Sequence, residues 1–276
     1  MFRNDLTWGM ARLGSDDPKR DRVTQLHCSD TLLSLGEACG AARLVSAEQQ
    51  GGAALRGALK IDLDALLTAT EHATGLNLSC APVGGTRGCR IGRRLVNVDS
   101  ILHSYTVYRL RGRGADAESA IVEIGGGYGC LGELFARAGM RRYGIFDLPW
   151  VNALQGYYLI MACPDTGVRL YGEETGDLAV LPCWRLHDLA DRSVDYVINI
   201  NSMPEMPGDV VRDDIATIAR AVRGGFLSIN QEAMAPAVGG PQQWVHDVVG
   251  QNGRLTCTSR QRWWMEQGYV EEFYEP

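Results

Sequence analysis

The sequence predicts an α/β protein: a doubly wound, mostly parallel sheet preceded by a helical N-terminal stretch. Two observations carry the sheet. From residue 114 onward, short apolar runs alternate with segments of helical periodicity, the pattern of strands joined by crossover helices. A cluster of glycines follows the first of those runs and opens a helix. The helical stretch rests on a third: ahead of residue 113 the apolar residues recur mainly at helical spacing.

Taken in order, Ser29 or Asp30 is placed to cap a segment bearing Leu32, Leu33, Leu35 and Ala38. Ser46 and Gln49 have capping-box spacing. Asp62 can start a helix whose Leu63, Leu66 and Leu67 share a face. Residues 79–97, rich in Gly, Arg and Cys, predict an irregular loop or hairpin. Asp99 or Ser100 opens a helix with Ile101, Leu102, Tyr105 and Tyr108, and Gly112 to Gly114 forms a hinge that divides the chain into 1–113 and 114–276.

Past the hinge, Ile121-Val122-Glu123-Ile124 is the first strand, and Leu131, Leu134, Phe135 and Ala138 mark the helix after it. Tyr143-Gly144-Ile145-Phe146 is the second strand. Pro149 suits a first helical turn, continued by Val151, Leu154, Tyr158 and Met161. Val168 to Tyr171, Tyr196 to Ile200 and Phe226 to Ile229 are the next three strands. The helix carrying Val211, Ile215, Ile218 and Val222 is expected to stop at Gly224-Gly225. The tail reads as a closing strand pair, with Asn252-Gly253 as a turn and Tyr269 to Tyr274 last.

Composition narrows the class. At 276 residues, 45% hydrophobic and 22% charged, the chain has the make-up of a globular protein and not of a disordered, collagen-like or coiled-coil one. Its formal net charge of −6 disfavours a general nucleic-acid partner. The arginines at 90, 93 and 94 and at 109, 111 and 113 read as solvated faces or helix ends rather than phosphate sites. No run approaches the roughly 18 apolar residues of a membrane span, and Met1 to Asp5 lead into no signal-peptide run. None of the eight cysteines forms a C-x-x-C pair or alternates with His at zinc spacing, so a reduced, cytoplasmic protein is expected.

The most informative segment is Glu123-Ile124-Gly125-Gly126-Gly127-Tyr128-Gly129-Cys130. Glycines there let a backbone approach a ligand, and the helix start supplies free N–H groups. Asp147 closes the second strand, where a carboxylate can accept from ribose hydroxyls. Two cofactors fit. Gly127, Gly129 and Gly132, with Asp147 about twenty residues on, satisfy a dinucleotide fingerprint. Glu123, Gly125, Gly127 and Gly129 form E-x-G-x-G-x-G instead, and that buried acid is better explained by a cationic ligand than by a pyrophosphate.

The second pattern resembles motif I of class I S-adenosylmethionine-dependent methyltransferases. Three further segments resemble the sugar O-methyltransferase family within them. They are Phe146-Asp147-Leu148-Pro149 with Ala153 to Tyr158, Ile198 to Met206, and Phe226 to Gln231. The likeness covers roughly residues 98–232. It implies a Rossmann-like, seven-stranded sheet with an N-terminal helical extension that serves the substrate. It also implies S-adenosylmethionine as cofactor, S-adenosylhomocysteine as product and a small-molecule acceptor. Under it Glu123, Gly125, Gly127 and Tyr128 hold the methionine end, Asp147 and Leu148 the ribose side, Asp188 the adenine amino group, and Asn199 the strand edge beside them.

A hydroxyl acceptor calls for a general base. Glu205, after the fourth strand, is the first choice, and His246, beside Trp244, the second. His103, Tyr105, Asn201 and Trp244 are candidate substrate contacts. No metal site is dictated by spacing, although Glu232, Asp247, Asp188 and Glu205 leave a divalent ion open. Trp263-Trp264 and Phe273-Tyr274 suit core packing or the contact of a homodimer better than sugar stacking. N-methylation of an amine, a nicotinamide-dependent oxidoreductase and a non-catalytic assembly module stand as alternatives. The only lysines, Lys19 and Lys60, lie outside the core, which leaves no Tyr-x-x-x-Lys pair there.

Overall fold

The computed structural model describes residues 18–43, 61–86, 88–232 and 242–276. The chain divides into two units at Gly112 and Arg113.

The N-terminal unit contains helix α1 (Pro18–Ala38), helix α2 (Leu63–Thr74), the hairpin β1 (Cys89–Ile91) and β2 (Arg94–Val96), and helix α3 (Val98–Gly112). Helix α1 starts earlier than Ser29 predicts. Ser29 lies inside it and turns its hydroxyl back to the Gln25 carbonyl, the option open to a mid-helix serine. Asp62 caps α2 as expected, accepting from the N–H groups of Asp64 and Ala65. The loop or hairpin expected over 79–97 includes a two-residue turn at Gly92-Arg93, where Ile91 pairs with Arg94. Arg94 then ties the hairpin to α2 through Glu71 at 2.6 Å and Asp64 at 3.0 Å. Helix α3 is capped one turn earlier than Asp99 or Ser100 implies. The Asn97 side chain accepts from the Ser100 N–H at 2.6 Å, and Ser100 Oγ accepts in return from the Asn97 N–H. Ser46 and Gln49 lie outside the described residues.

The C-terminal unit is an eight-stranded sheet with helices between its strands. In chain order it runs β3 (Ile121–Ile124), α4 (Cys130–Arg137), β4 (Tyr143–Asp147), α5 (Pro149–Ala162), β5 (Val168–Leu170) and β6 (Leu178–Pro182). It continues with β7 (Val194–Ile200), α6 (Gly208–Ala221), β8 (Val222–Gln231), α7 (Val245–Asn252), β9 (Thr256–Arg262) and β10 (Tyr269–Glu275). The strand order is β5-β6-β4-β3-β7-β8-β10-β9. Strands β5 to β8 and β3, β4 are parallel, and β10 enters antiparallel to both β8 and β9. This is the mostly parallel, doubly wound sheet that the alternation predicts, with one short edge strand, β5, beyond seven. Strand β6 is the one that the sequence reading passed over, because Leu178 to Pro182 is a five-residue run ending in proline.

Two terminal assignments change. Helix α6 does not stop at Gly224-Gly225 but passes into β8 at Val222. The glycines lie inside the strand because no side chain fits there. A Cβ on Gly225 would sit 2.4 Å from Phe273 Cζ and 2.8 Å from the Tyr274 carbonyl oxygen. Asn252-Gly253 ends α7 in a left-handed cap rather than turning a hairpin. The hairpin turn falls between β9 and β10.

On one face of the sheet, α6 and α7 lay Val211, Ile215, Ile218, Val245 and Val249 over Val122, Val197, Phe226 and Tyr274. Trp263, Phe273 and Tyr274 are almost wholly buried. They are core, and neither sugar stacking nor a dimer contact is open to them. No helix among the described residues is long and apolar enough to cross a membrane.

Gly225→Ala should destabilise the protein by about 1–3 kcal/mol through overpacking against a backbone carbonyl that cannot move aside. A lower urea midpoint checks this. Gly112→Ala, where a Cβ meets nothing within 4 Å, should leave the midpoint unchanged or slightly higher.

Candidate active site

At the C-terminal end of β3 the chain turns through Gly125 to Gly129 into α4. Neighbouring strands β4 and β7 leave β3 on opposite sides, so the loop lies at the topological switch point, the usual ligand crevice of an open α/β sheet. Gly125 holds φ +73°, and a Cβ on it would sit 2.2 Å from Ser202 Oγ. Only glycine satisfies both demands. The close approach is held from β7. Asn199 Nδ2 donates to the Ile124 carbonyl at 2.9 Å and to Ser202 Oγ at 2.5 Å, while Ser202 Oγ donates to the same carbonyl at 3.1 Å.

Asp147 stands at the end of β4. Its carboxylate accepts from the Leu148 N–H at 2.7 Å and from Gln155 Nε2 at 2.8 Å. Burial pushes its pKa up from 3.8 to about 6, while hydrogen bonds from Leu148, Gln155 and the Gly126 N–H work against that rise. Gln155, fully buried on α5, also donates to the Gly127 carbonyl at 2.9 Å and accepts from Asn152 Nδ2 at 2.9 Å. The sequence reading gave Gln155 no role. Its signal was a lone amide on the inner face of α5, in helical register with Val151, Tyr158 and Leu159.

Glu123 is buried under the loop, and Tyr143 donates its phenol to Oε2 at 2.5 Å. A Cβ on Gly126 would lie 2.5 Å from that same oxygen. Desolvation raises the Glu123 pKa from 4.5 to about 8, the Tyr143 hydrogen bond lowers it, and the charge of Asp147 raises it further. Tyr128 turns its ring away from the loop's open side into an edge contact with Tyr158, at 4.8 Å between centroids. It is buried, so what it offers a ligand is backbone.

Four of the remaining candidates, Asn201, Glu205, Asp188 and Trp244, follow the C-terminal ends of β6, β7 and β8. Asn201 adopts φ +59° and donates its N–H to the Ile229 carbonyl. Glu205 is exposed, in a short 3-10 turn (Met203–Glu205), with its N–H on the Ser202 carbonyl. Asp188 ends the turn after β6 (Cys183–Asp188) and is paired with Arg185 at 2.7 Å. His187 bonds Thr217 at 2.9 Å, a packing role. Trp244 is exposed at the N-cap of α7. His103 and Tyr105 belong to α3 of the other unit. Tyr105 is buried there, and burial drives the His103 imidazole down to about 4.

His246, in the first turn of α7, meets a buried carboxylate: its Nδ1 is 2.7 Å from Glu272 Oε1. The start of α7 is tied to the strand edge, since Gln242 Nε2 donates to the Gln231 carbonyl at 2.7 Å and the Gln243 N–H to the Pro204 carbonyl. Glu272 belongs to a polar row across the sheet, in which Asn199, Ser228, Glu272 and Arg260 are successive register partners. Arg260 bonds Glu272 Oε1 at 2.5 Å and both oxygens of Glu232. Among the described residues the one grouping of three metal-ligating side chains is His246, Cys257 and Glu272. Arg260 already neutralises its carboxylate. The set Glu232, Asp247, Asp188 and Glu205 does not assemble.

No family model matches the chain, and no curated protein does either. Solved structures do. The mitomycin 7-O-methyltransferase MmcR is 15% identical, with 64% of this chain and 57% of that one covered and a TM-score of 0.44. A TehB-like SAM-dependent methyltransferase from Corynebacterium glutamicum is 17% identical, with coverages of 60% and 85% and a TM-score of 0.43. TnmH is 16% identical, with coverages of 64% and 58% and a TM-score of 0.41. The chain thus spans under two thirds of the length of MmcR and of TnmH.

A carboxyl whose folded pKa lies above its unfolded value stabilises the fold fully below the unfolded pKa and loses that contribution as pH rises through the folded one. For Glu123 the window runs from 4.5 to about 8. The stability of the wild type relative to Glu123→Gln should therefore fall across that window, by up to about 1.4 kcal/mol per pH unit. Urea melts at pH 5, 7 and 8.5 read the gap, and parallel curves would refute the burial argument.

Proposed function

We propose that the C-terminal unit is the core of a class I S-adenosylmethionine-dependent methyltransferase. The chain methylates a hydroxyl of a small molecule, with a sugar or sugar-like natural-product intermediate as the best fit to the sequence resemblance. The observation that carries this reading is the buried Glu123 under the glycine loop, hydrogen-bonded to a phenol. Burial keeps that carboxyl mostly protonated while the site is empty, and a cationic sulfonium amino acid would draw it to the charged form, which a pyrophosphate would oppose. The antiparallel β10 between β8 and β9 also departs from the all-parallel 3-2-1-4-5-6 order of dinucleotide folds.

The residues present fit the cofactor. Asn199 Oδ1 is buried at the end of β7 with no donor, and offers an acceptor to an ammonium group. Asp147, held by Gln155 and two backbone N–H groups, offers its carboxylate to ribose hydroxyls. Leu148, half-exposed beyond the end of β4, offers apolar surface to a purine. When bound, S-adenosylmethionine supplies an electrophilic methyl group on sulfur, and the protein's task is to hold an acceptor oxygen in line with it.

His246 rather than Glu205 takes the proton. With Nδ1–H donated to Glu272, the ring is held in one orientation and Nε2 keeps its lone pair to accept the proton. Arg260 and Glu232 hold Glu272 in place. All eight cysteines are free thiols, which fits a reducing, cytoplasmic setting, and the reading involves neither nucleic acid nor membrane. No divalent ion has a role in it.

Isothermal calorimetry with S-adenosylhomocysteine tests the cofactor assignment. Binding is expected for the wild type, weakening as pH falls through about 6 because Asp147 then takes up a proton, and lost in Asp147→Ala. Heat with NADH but not with S-adenosylhomocysteine would overturn it. For the base, His246→Gln and Glu272→Gln should each lower kcat about 10²–10⁴-fold with the cofactor Kd unchanged. An unaltered rate would remove His246 and favour an amine acceptor, whose free lone pair attacks unaided.

A further inference from the structure

Helix α5 is apolar on both sides. Its fourteen residues, Pro149 to Ala162, include no Asp, Glu, Lys or Arg. The inner side, with Val151, Gln155, Tyr158 and Leu159, is buried. The outer side carries Trp150, Tyr157, Ile160 and Met161, which lie along one stripe at i, i+7, i+10 and i+11. Beside it runs the edge strand β5, whose Leu170 packs over Gly156 of α5. Tyr171, following β5, meets Trp184 edge to face at 6.2 Å between ring centroids. These six large side chains are each 42–58% exposed.

A helix apolar all round belongs in an interior, and a patch of this kind marks a contact surface. We propose that the outer face of α5, with Tyr171 and Trp184, is the interface of a symmetric homodimer of this chain. Three features select a second copy over other occupants. Half-exposed aromatic and long aliphatic side chains contribute about 100 Å² each, so the six present about 600 Å². That approaches the roughly 800 Å² per partner of a standard interface before flanking residues are added. A charge-free helix can lie against its own twofold mate without like-charge repulsion, which an isologous contact demands because each residue meets the same patch. Around β5 the acidic Asp165, Glu173 and Glu174 outnumber Arg169 and Arg185, so the patch lacks the basic cluster that an anionic lipid surface recruits. Of the aromatic pairs at the C-terminus, Trp263, Phe273 and Tyr274 are core, which leaves Trp264 alone exposed.

Sedimentation equilibrium of the full chain between 1 and 100 μM tests this. The wild type is expected at twice its 30.2 kDa chain mass at the upper end. Tyr157→Asp and Met161→Asp should each weaken association at least 100-fold while the thermal melt stays within a few degrees. Val210→Asp, at an exposed apolar position on α6, should leave the dimer intact. Hydrogen exchange adds a readout that needs no variant. Dilution from 100 to 1 μM should raise exchange in 149–171 and leave 208–221 unchanged. A wild type monomeric at 100 μM, a Tyr157→Asp chain that dimerises normally, dissociation by Val210→Asp, or exchange in 149–171 insensitive to dilution would each overturn the proposal.

Discussion

The Gln155 side-chain amide is the constraint on which the candidate site depends. One of its N–H groups goes to the Gly127 carbonyl and the other to Asp147, while its oxygen is taken by Asn152. The group is saturated and fully buried, so it has no solvent alternative and is costly to leave unmade. It locks the glycine loop after β3 to the acid that ends β4, beside the direct bond from the Gly126 N–H to Asp147. Around that lock the other placements follow. Gly125 can approach Ser202 because the loop is held, and Asp147 keeps a fixed carboxylate although burial works against its charge.

A second constraint runs across the sheet. Asn199, Ser228, Glu272 and Arg260 form a polar row inside an otherwise apolar layer. Burying such groups costs free energy unless they are hydrogen-bonded, and most of the row is. Asn199 reaches Ile124 and Ser202, Asn230 reaches Ser228, and Glu272 binds His246 and Arg260. The exceptions are the amide oxygens of Asn199 and Asn230. An apolar row would pack as well, so these residues are best understood as support for chemistry at the strand ends. Glu272 is the clearest instance: it orients the His246 ring and is itself held by an arginine.

The two faces of α5 show how one element can answer to two demands. Its inner face supplies the site lock, and its outer face keeps large apolar side chains half-exposed. The charge-free sequence suits both, since an apolar helix packs on a parallel sheet and on a partner alike.

Much of the fold was legible because its signals are local. Alternation of apolar runs with helical periodicity marks a parallel sheet, and a glycine cluster between strand and helix marks a ligand edge, whatever lies elsewhere in the chain. The acids Glu123 and Asp147 were found the same way, from their spacing to that loop. What the sequence could not carry was anything decided between distant residues. The pairing of His246 with Glu272 joins positions 26 apart, and no pattern in either segment announces it. Gly224 and Gly225 looked like a helix stop until Phe273 and Tyr274 occupied the space a side chain would need. Whether Trp263, Phe273 and Tyr274 were core or a dimer contact was settled only when the closing hairpin turned them inward. By itself the sequence determined the order and type of most elements and the position of the glycine loop, because periodicity and backbone freedom act over a few residues. Only the tertiary structure decided which side chains share a hydrogen bond, which are buried and which side of α5 packs on the sheet, because those depend on the sheet register that brings distant segments together.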